Sequence, residues 1–238
     1  MDTSGASVSA ALTENKHTLA EFTYSQGELR SGEKRRTHSE TLMPLIDNIF
    51  KISGRLPNDL DRIACTCGPG SFTGLRIGAS TAMGFAYATG KPLIGVPTLD
   101  ALAYGAACAD ADYIIPMLDA RRGQVYAAAY SSNNDGGLER ITDYTAAHIN
   151  DFLASVNGII GTNKSLHFVG EGAAEYRGQI SSSGFRATFA AQQEDSNIRA
   201  AWVGRCALGM KEKPFELLYI RKPQAERERE ERENKNNL

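Results

Sequence analysis

The 238 residues carry 26 basic and 28 acidic side chains, a net charge of -2 and 42 % hydrophobic content, with a sequence pI near 6.1. That balance builds a sizeable core and offers no bulk polyanion-binding surface, so tight binding of RNA by this chain alone is not expected. No apolar run reaches membrane-spanning length and the first residues lack the order of a secretory signal. The expectation is a cytoplasmic chain whose cysteines Cys65, Cys67, Cys108 and Cys206 are reduced.

The first predicted unit is a hairpin, SVSAAL (7–12) and HTLAEFTYS (17–25), turning at Glu14, Asn15 and Lys16. A charged stretch, residues 25–36, leads into THSETLMPLIDNIFKISG. There Thr37 and Glu40 have capping-box spacing, and Leu42, Leu45, Ile46 and Ile49 recur at helical period, so a helix ending near Gly54 is predicted. IACTC (63–67) reads as a buried strand, followed by the turn and helix of GPGSFTGLRIGASTAMGFAYATG. LIGVP (93–97) and TLDALAYGAACA follow.

Residues 113–130 read as two strands joined at Arg121, Arg122 and Gly123, with a loop at residues 133–137. A helix around 146–156, a strand at 166–170, a helical AAEYRGQI, a strand FRATF and a last helix over 196–209 complete the pass. The tail AEREREERENKNNL alternates charge signs and reads as a solvated end.

GPGSFTGLRIG (68–78) resembles a phosphate-binding loop only superficially. A P-loop requires Gly-Lys-Ser/Thr at its end, whereas Leu75 and Arg76 follow Gly74. The dinucleotide fingerprint requires a third glycine where Thr73 stands, and the acidic residue about twenty positions later is missing. The glycines have another order. Gly70, Gly74, Gly78, Ala82, Ala86 and Gly90 lie four residues apart, on one side of a helix. Glycine costs a helix interior roughly 1 kcal/mol against alanine, so such a line needs a closely packed neighbour. The spacing is equally compatible with the domain's own sheet and with a partner. Cys65 and Cys67 do not have zinc-ribbon spacing, and the four histidines (His17, His38, His148, His167) form no i, i+4 pair. Asp119 and Arg121 at a hairpin turn read as a local ion pair or a partner contact.

GPGSFTGLRIG with its small-residue helix, DARRGQVYAA (119–128) and LYIRKPQAER (218–227) together resemble the bacterial TsaB (YeaZ) family. The resemblance covers most of the chain and implies a two-domain α/β fold of the actin-like and sugar-kinase-like ATPases, each domain on a βββαβαβα plan. The implied divisions are residues 1–105, a smaller second domain over 106–222 whose last helix returns to the first or stays, and a charged tail, 223–238. The implied role is that of a noncatalytic dimerisation subunit of the machinery that places threonylcarbamoyl on the adenosine beside the anticodon of tRNAs reading codons that begin with A. Its partners would be the catalytic TsaD subunit and the TsaE ATPase subunit, a homodimer being an alternative assembly. Contact with tRNA would come only through the complex, and there is no membrane partner. The chain alone would bind no cofactor or metal, ATP being used by the complex.

In the catalytic relative two histidines at i and i+4 bind metal, where this chain has Thr98 and Leu102. A small-molecule kinase of the same fold and a metallopeptidase are the alternatives, and each lacks its residues here. The implied partner-binding residues are Gly70, Gly74, Gly78 and Ala82, with Leu42 and Ile46 shared between core and contact. On that reading Gly74→Leu or Gly78→Leu costs association and spares folding. The family also begins with an apolar strand ending in Asp-Thr-Ser, whereas this chain starts at Met1-Asp2-Thr3-Ser4. A missing first strand, encoded upstream of Met1, is the expectation.

Overall fold

The computed structural model describes residues 1–25, 36–132, 137–161, 163–190 and 197–221. The loop predicted at 133–137 and the charged tail fall largely or wholly outside the described residues.

Strands β1 (Val8–Glu14) and β2 (His17–Tyr24) form the antiparallel hairpin, turned at Asn15 with φ +55°. Asparagine tolerates that left-handed geometry better than most side chains. Helix α1 (His38–Ser53) starts as the spacing predicts: Glu40 N donates to Thr37 Oγ1 at 3.3 Å and Thr37 N donates to the Glu40 carboxylate at 2.7 Å. Its buried side, including Leu42, Ile46 and Ile49, packs on Val8 and Ala10 of the hairpin. Then come β3 (Ile63–Gly68), α2 (Phe72–Thr89), β4 (Leu93–Pro97), parallel to β3, and α3 (Thr98–Gly105).

The second half repeats this order. It consists of β5 (Tyr113–Arg121), β6 (Gln124–Ala127), β7 (Tyr130–Ser132), β8 (Leu138–Arg140), β9 (Thr145–His148), α4 (Ile149–Ile160), β10 (Ser165–Val169), α5 (Glu171–Glu175), α6 (Arg177–Ser181), β11 (Arg186–Phe189) and α7 (Ala200–Leu208). Its main sheet runs β9-β6-β5-β10-β11, with β5 antiparallel to β6 and parallel to β10. Residues 146–148, predicted as the start of a helix, instead pair with β6, together with Thr145. The helix begins at Ile149, where His148 Nδ1 accepts from Asn150 N at 3.4 Å.

In the first half, residues 1–4 stand where β5 stands in the second. Asp2 exchanges both backbone hydrogen bonds with Ser9 of β1, Met1 N donates to Ala64 O at 2.8 Å, and Thr66 N donates to Met1 O at 3.2 Å. The order is therefore β2-β1-(1–4)-β3-β4, the same five-position plan as in the second half.

Helix α7 returns to the first half. It lies on the face of β1 opposite α1, since Ala200 N donates to Ser9 Oγ at 2.9 Å while Val8 and Ala10 point to α1. Arg199 pairs with Glu21, and Arg205 donates to Thr18 Oγ1 at 2.8 Å. Between the halves, Asp100 accepts hydrogen bonds from the hydroxyls of Tyr130 (2.5 Å) and Tyr144 (2.6 Å), joining α3 to the second sheet.

Asp2 is fully buried. Its Oδ1 accepts from Ser4 N, Ser4 Oγ and Thr66 Oγ1 at 3.1, 2.6 and 2.7 Å, while Oδ2 has no partner among the described residues. Burial pushes this carboxyl above its ordinary value of 3.8, against the pull of those hydrogen bonds and of the Met1 ammonium. The folded state thus holds the proton more tightly than the unfolded chain. The contribution of Asp2 is most favourable below pH 3.8 and declines as pH rises through the raised value. Asp2→Asn removes that decline. Urea midpoints of the variant should gain on the parent's from about pH 4 upward, and parallel pH profiles would contradict this reading.

Candidate partner-docking surface

Helix α2 is capped by Ser71, whose Oγ accepts from Gly74 N at 3.3 Å, and Ser71 N donates to Ser4 O at 2.7 Å. The turn before it, with Gly68 at φ +121°, is therefore tied to residues 1–4 through backbone groups that a phosphate loop would present to a ligand. The chain's later residues close over the other side. Leu218 N donates to Cys67 O at 2.7 Å, the Tyr219 ring packs on Phe72 with centroids 5.3 Å apart, and Arg76 lies over Phe72 at 3.9 Å. A Cβ on Gly68 would stand 2.4 Å from Leu218 O. So Leu218 and Tyr219, far from GPGSFTGLRIG in sequence, pack on it.

The small-residue line faces inward. A Cβ would lie 2.5 Å from Ser4 O at Gly70, 2.0 Å from Thr3 O at Gly74, and 2.4 Å from Thr3 Oγ1 at Gly78, where Cys65 Sγ is 3.2 Å away. Ala82 is fully buried against Ile63 and Cys65. Leu42 and Ile46 are buried in the hairpin core. All six residues Gly70, Gly74, Gly78, Ala82, Leu42 and Ile46 pack against this chain's own residues. The geometry opposes the expectation that leucine at Gly74 or Gly78 spares folding, because the close neighbours are this chain's own Thr3 backbone at Gly74 and the Thr3 and Cys65 side chains at Gly78. Spacing revealed the smooth face but not what covers it.

The face that sequence reasoning missed is the opposite one. On α2, Met83 is 55 % exposed and Tyr87, one turn on, 93 %. On α1, Met43 is 48 % exposed and Ile52 69 %. The two helices touch through the stacked rings of Phe50 and Phe85, with centroids 6.4 Å apart, and Met83 and Tyr87, each two residues from Phe85, lie on the side of α2 turned away from that contact. Next to Tyr87, Gly84 has no atom within 4 Å of where its Cβ would stand. The usable signal was the i, i+4 spacing of Met83 and Tyr87, left over once the small-residue line is assigned to the core.

Elsewhere the candidates are structural. Asp119 pairs with Arg121 at 3.2 Å and accepts from Arg121 N and the Tyr176 hydroxyl, so the hairpin turn closes on itself. Thr98 and Leu102 are fully buried. Burial pushes Cys65 up to about 12 and Cys67 up to about 11, which keeps both as neutral thiols. Among the described residues no group of three His, Cys, Asp or Glu side chains is placed to hold a metal.

Residues 17–207 match the family model described as TsaD: tRNA N6-adenosine threonylcarbamoyltransferase. The duplicated sheet plan and this match define a protein of the threonylcarbamoyltransferase-like class with an actin-like fold. The chain is 32 % identical over 174 residues to the tRNA threonylcarbamoyladenosine biosynthesis protein TsaB of Bacillus subtilis, 70 % of this chain and 71 % of that protein. It is 39 % identical over 102 residues to the protein of the same name from Escherichia coli, covering 42 % of this chain and only 44 % of that relative's length. The chain belongs to the TsaB (YeaZ) family. A solved structure, YeaZ from Pseudomonas aeruginosa, shares the fold, with a TM-score of 0.68 and 20 % identity over 92 % of this chain and 96 % of that one.

Proposed function

We propose that the chain is a docking subunit of the machinery that makes threonylcarbamoyladenosine in tRNA, and that it carries no catalytic centre of its own. The observation that carries the reading is the exposed pair Met83 and Tyr87 on one side of α2, with Tyr87 almost fully solvated. Apolar patches of this kind mark interaction sites, and large amphipathic aromatics such as tyrosine serve as their anchors. The partner proposed for it is the TsaD-type transferase subunit, with a TsaE-type ATPase joining the assembly and a homodimer as the resting form of the same surface. ATP and tRNA are handled by the complex, and this chain alone takes neither cofactor nor metal. A noncatalytic role is supported by the buried Thr98 and Leu102, which cannot serve as a metal-binding pair. A cytoplasmic site of action accords with this role. No helix among the described residues is long and apolar enough to cross a membrane.

The test is reconstitution. The purified chain, given ATP, tRNA and an activated threonylcarbamoyl donor, should turn over no ATP and yield no threonylcarbamoyladenosine by nucleoside mass spectrometry. Adding it to the transferase and ATPase subunits should raise product formation. Product or ATP turnover from the isolated chain would contradict the proposal.

A further inference from the structure

Two segments that the docking surface leaves unused, DARRGQVYAA and LYIRKPQAER, meet at the end of the molecule where β3 and β5 stop. In the hairpin turn after β5, Arg121, Arg122 and Gly123 all lie in the left-handed backbone region, with φ +66°, +57° and +73°. Glycine and asparagine adopt that geometry readily whereas arginine is strained in it, so the turn itself does not select arginine twice. Packing does not select it either. Arg122 is exposed, and its guanidinium has neither hydrogen bond nor ion pair among the described residues. The Arg121 side chain is 88 % exposed, and its pairing with Asp119 at 3.2 Å is a surface pair of the kind that contributes little to stability.

Residues 218–221 carry this charge across to α2. Arg221 Nη1 donates to Ala120 O at 3.0 Å, beside Arg121. Two residues earlier, the ring of Tyr219 is 40 % exposed and packs on Phe72, while Arg76 lies over Phe72 and its Nε donates to the Tyr219 hydroxyl at 3.4 Å. Arg76 and Arg221 are in no ion pair among the described residues. The acids facing the turn are Asp119, whose side chain is mostly buried, and Glu171, whose carboxyl is pushed above its ordinary value by burial first and by Asp119 next. They do not cancel the arginines. Each guanidinium is a fork of donors suited to phosphate oxygens, and an exposed aromatic ring among arginines is the arrangement on which unpaired bases stack while their phosphates are held. An acidic peptide would use the arginines and leave the ring idle. We infer that this surface is an RNA contact: an unpaired stretch of the tRNA lays its phosphates on Arg76, Arg221, Arg121 and Arg122 and stacks a base on Tyr219. The chain thereby contributes part of the RNA-binding surface of the assembly. The setting rests on the docking-subunit reading, because a net charge of -2 gives the chain alone only a weak hold on RNA.

The test variant combines Arg121→Asn and Arg122→Asn, which puts at both positions a residue that fits a left-handed turn. Its Tm should equal or exceed the parent's, and a lower one would overturn the inference by showing that the arginines serve the fold. In the complex with the TsaD-type and TsaE-type subunits, binding of fluorescein-labelled tRNA, read by anisotropy, should weaken about 10-fold at low salt, and the slope of log K against log [salt] should shrink by about 1 to 2. Tyr219→Leu should weaken binding about 10-fold with the slope unchanged. Parent affinity and slope in a variant complex shown by mass to be intact overturn the inference, as does displacement of the tRNA by poly-glutamate as readily as by unlabelled RNA of equal charge. Where the parent chain fails to assemble with the transferase, the docking reading is what falls. The same variants are then compared as isolated chains with labelled tRNA at low salt, and equal binding by parent and variant again overturns the RNA contact.

Discussion

Gly74→Leu is expected to abolish stable folding. The first atom of any side chain at this position would stand 2.0 Å from the carbonyl oxygen of Thr3 and 3.2 Å from its carbon. Both belong to backbone held on three sides, by Asp2 to Ser9, by Ser4 to Ser71 and by the Thr3 hydroxyl to Gly74 O at 2.7 Å. The neighbour cannot swing away as a flexible side chain would, so α2 or residues 1–4 must leave the sheet. Overpacking of an ordinary core site costs about 1–3 kcal/mol, and displacing a strand end from its ladder adds to that, so a loss of more than 4 kcal/mol is expected. Gly84→Ala, ten residues along the same helix, is the control. It meets no neighbour, and alanine should stabilise the helix by roughly 1 kcal/mol. Thermal or urea unfolding of the two variants checks both signs at once. A Gly74→Leu protein that melts near the parent would mean that the helix does not sit against residues 1–4.

The second large effect belongs to the outer face. Tyr87→Glu and Met83→Glu should leave the unfolding midpoint within about 0.5 kcal/mol of the parent, because surface positions without buried contacts rarely move stability. The same changes should weaken association with the TsaD-type subunit by about 100-fold or more, since a charge placed at the centre of an apolar contact removes an anchor and must be desolvated. Titration calorimetry gives the affinity and differential scanning calorimetry the stability. Normal binding by both variants would move the contact elsewhere.

Together these two predictions separate what the sequence could and could not convey. The line of Gly70, Gly74, Gly78 and Ala82 was legible as a smooth helix face because its period is a property of the helix alone. Its neighbour was not, because Thr3 and Ser4 lie some seventy residues away in the chain and reach α2 only through the topology of the sheet. The capping box at Thr37 and Glu40 was legible for the same local reason, and it forms as its spacing predicts. Residues 146–148 misled in the other direction: alanine-rich and helix-prone, they are held as a strand by pairing with β6, and only tertiary contact supplies that. Large exposed side chains such as Tyr87 look like any other helical residue until burial is known. Family motifs carried the fold from the start, because GPGSFTGLRIG meets Leu218 and Tyr219 around Cys67 and Phe72.

The most direct test of the docking account is hydroxyl-radical footprinting of the chain, alone and bound to the TsaD-type transferase. Methionine and tyrosine are readily oxidised, and three of the proposed contact residues are of these types. Alone, Met43, Met83 and Tyr87 should oxidise rapidly, in keeping with their exposure. In the complex their rates should fall several-fold while that of Tyr113, on the second sheet, stays unchanged. Unaltered oxidation of Met83 and Tyr87 in a complex shown by mass to be intact would contradict the account.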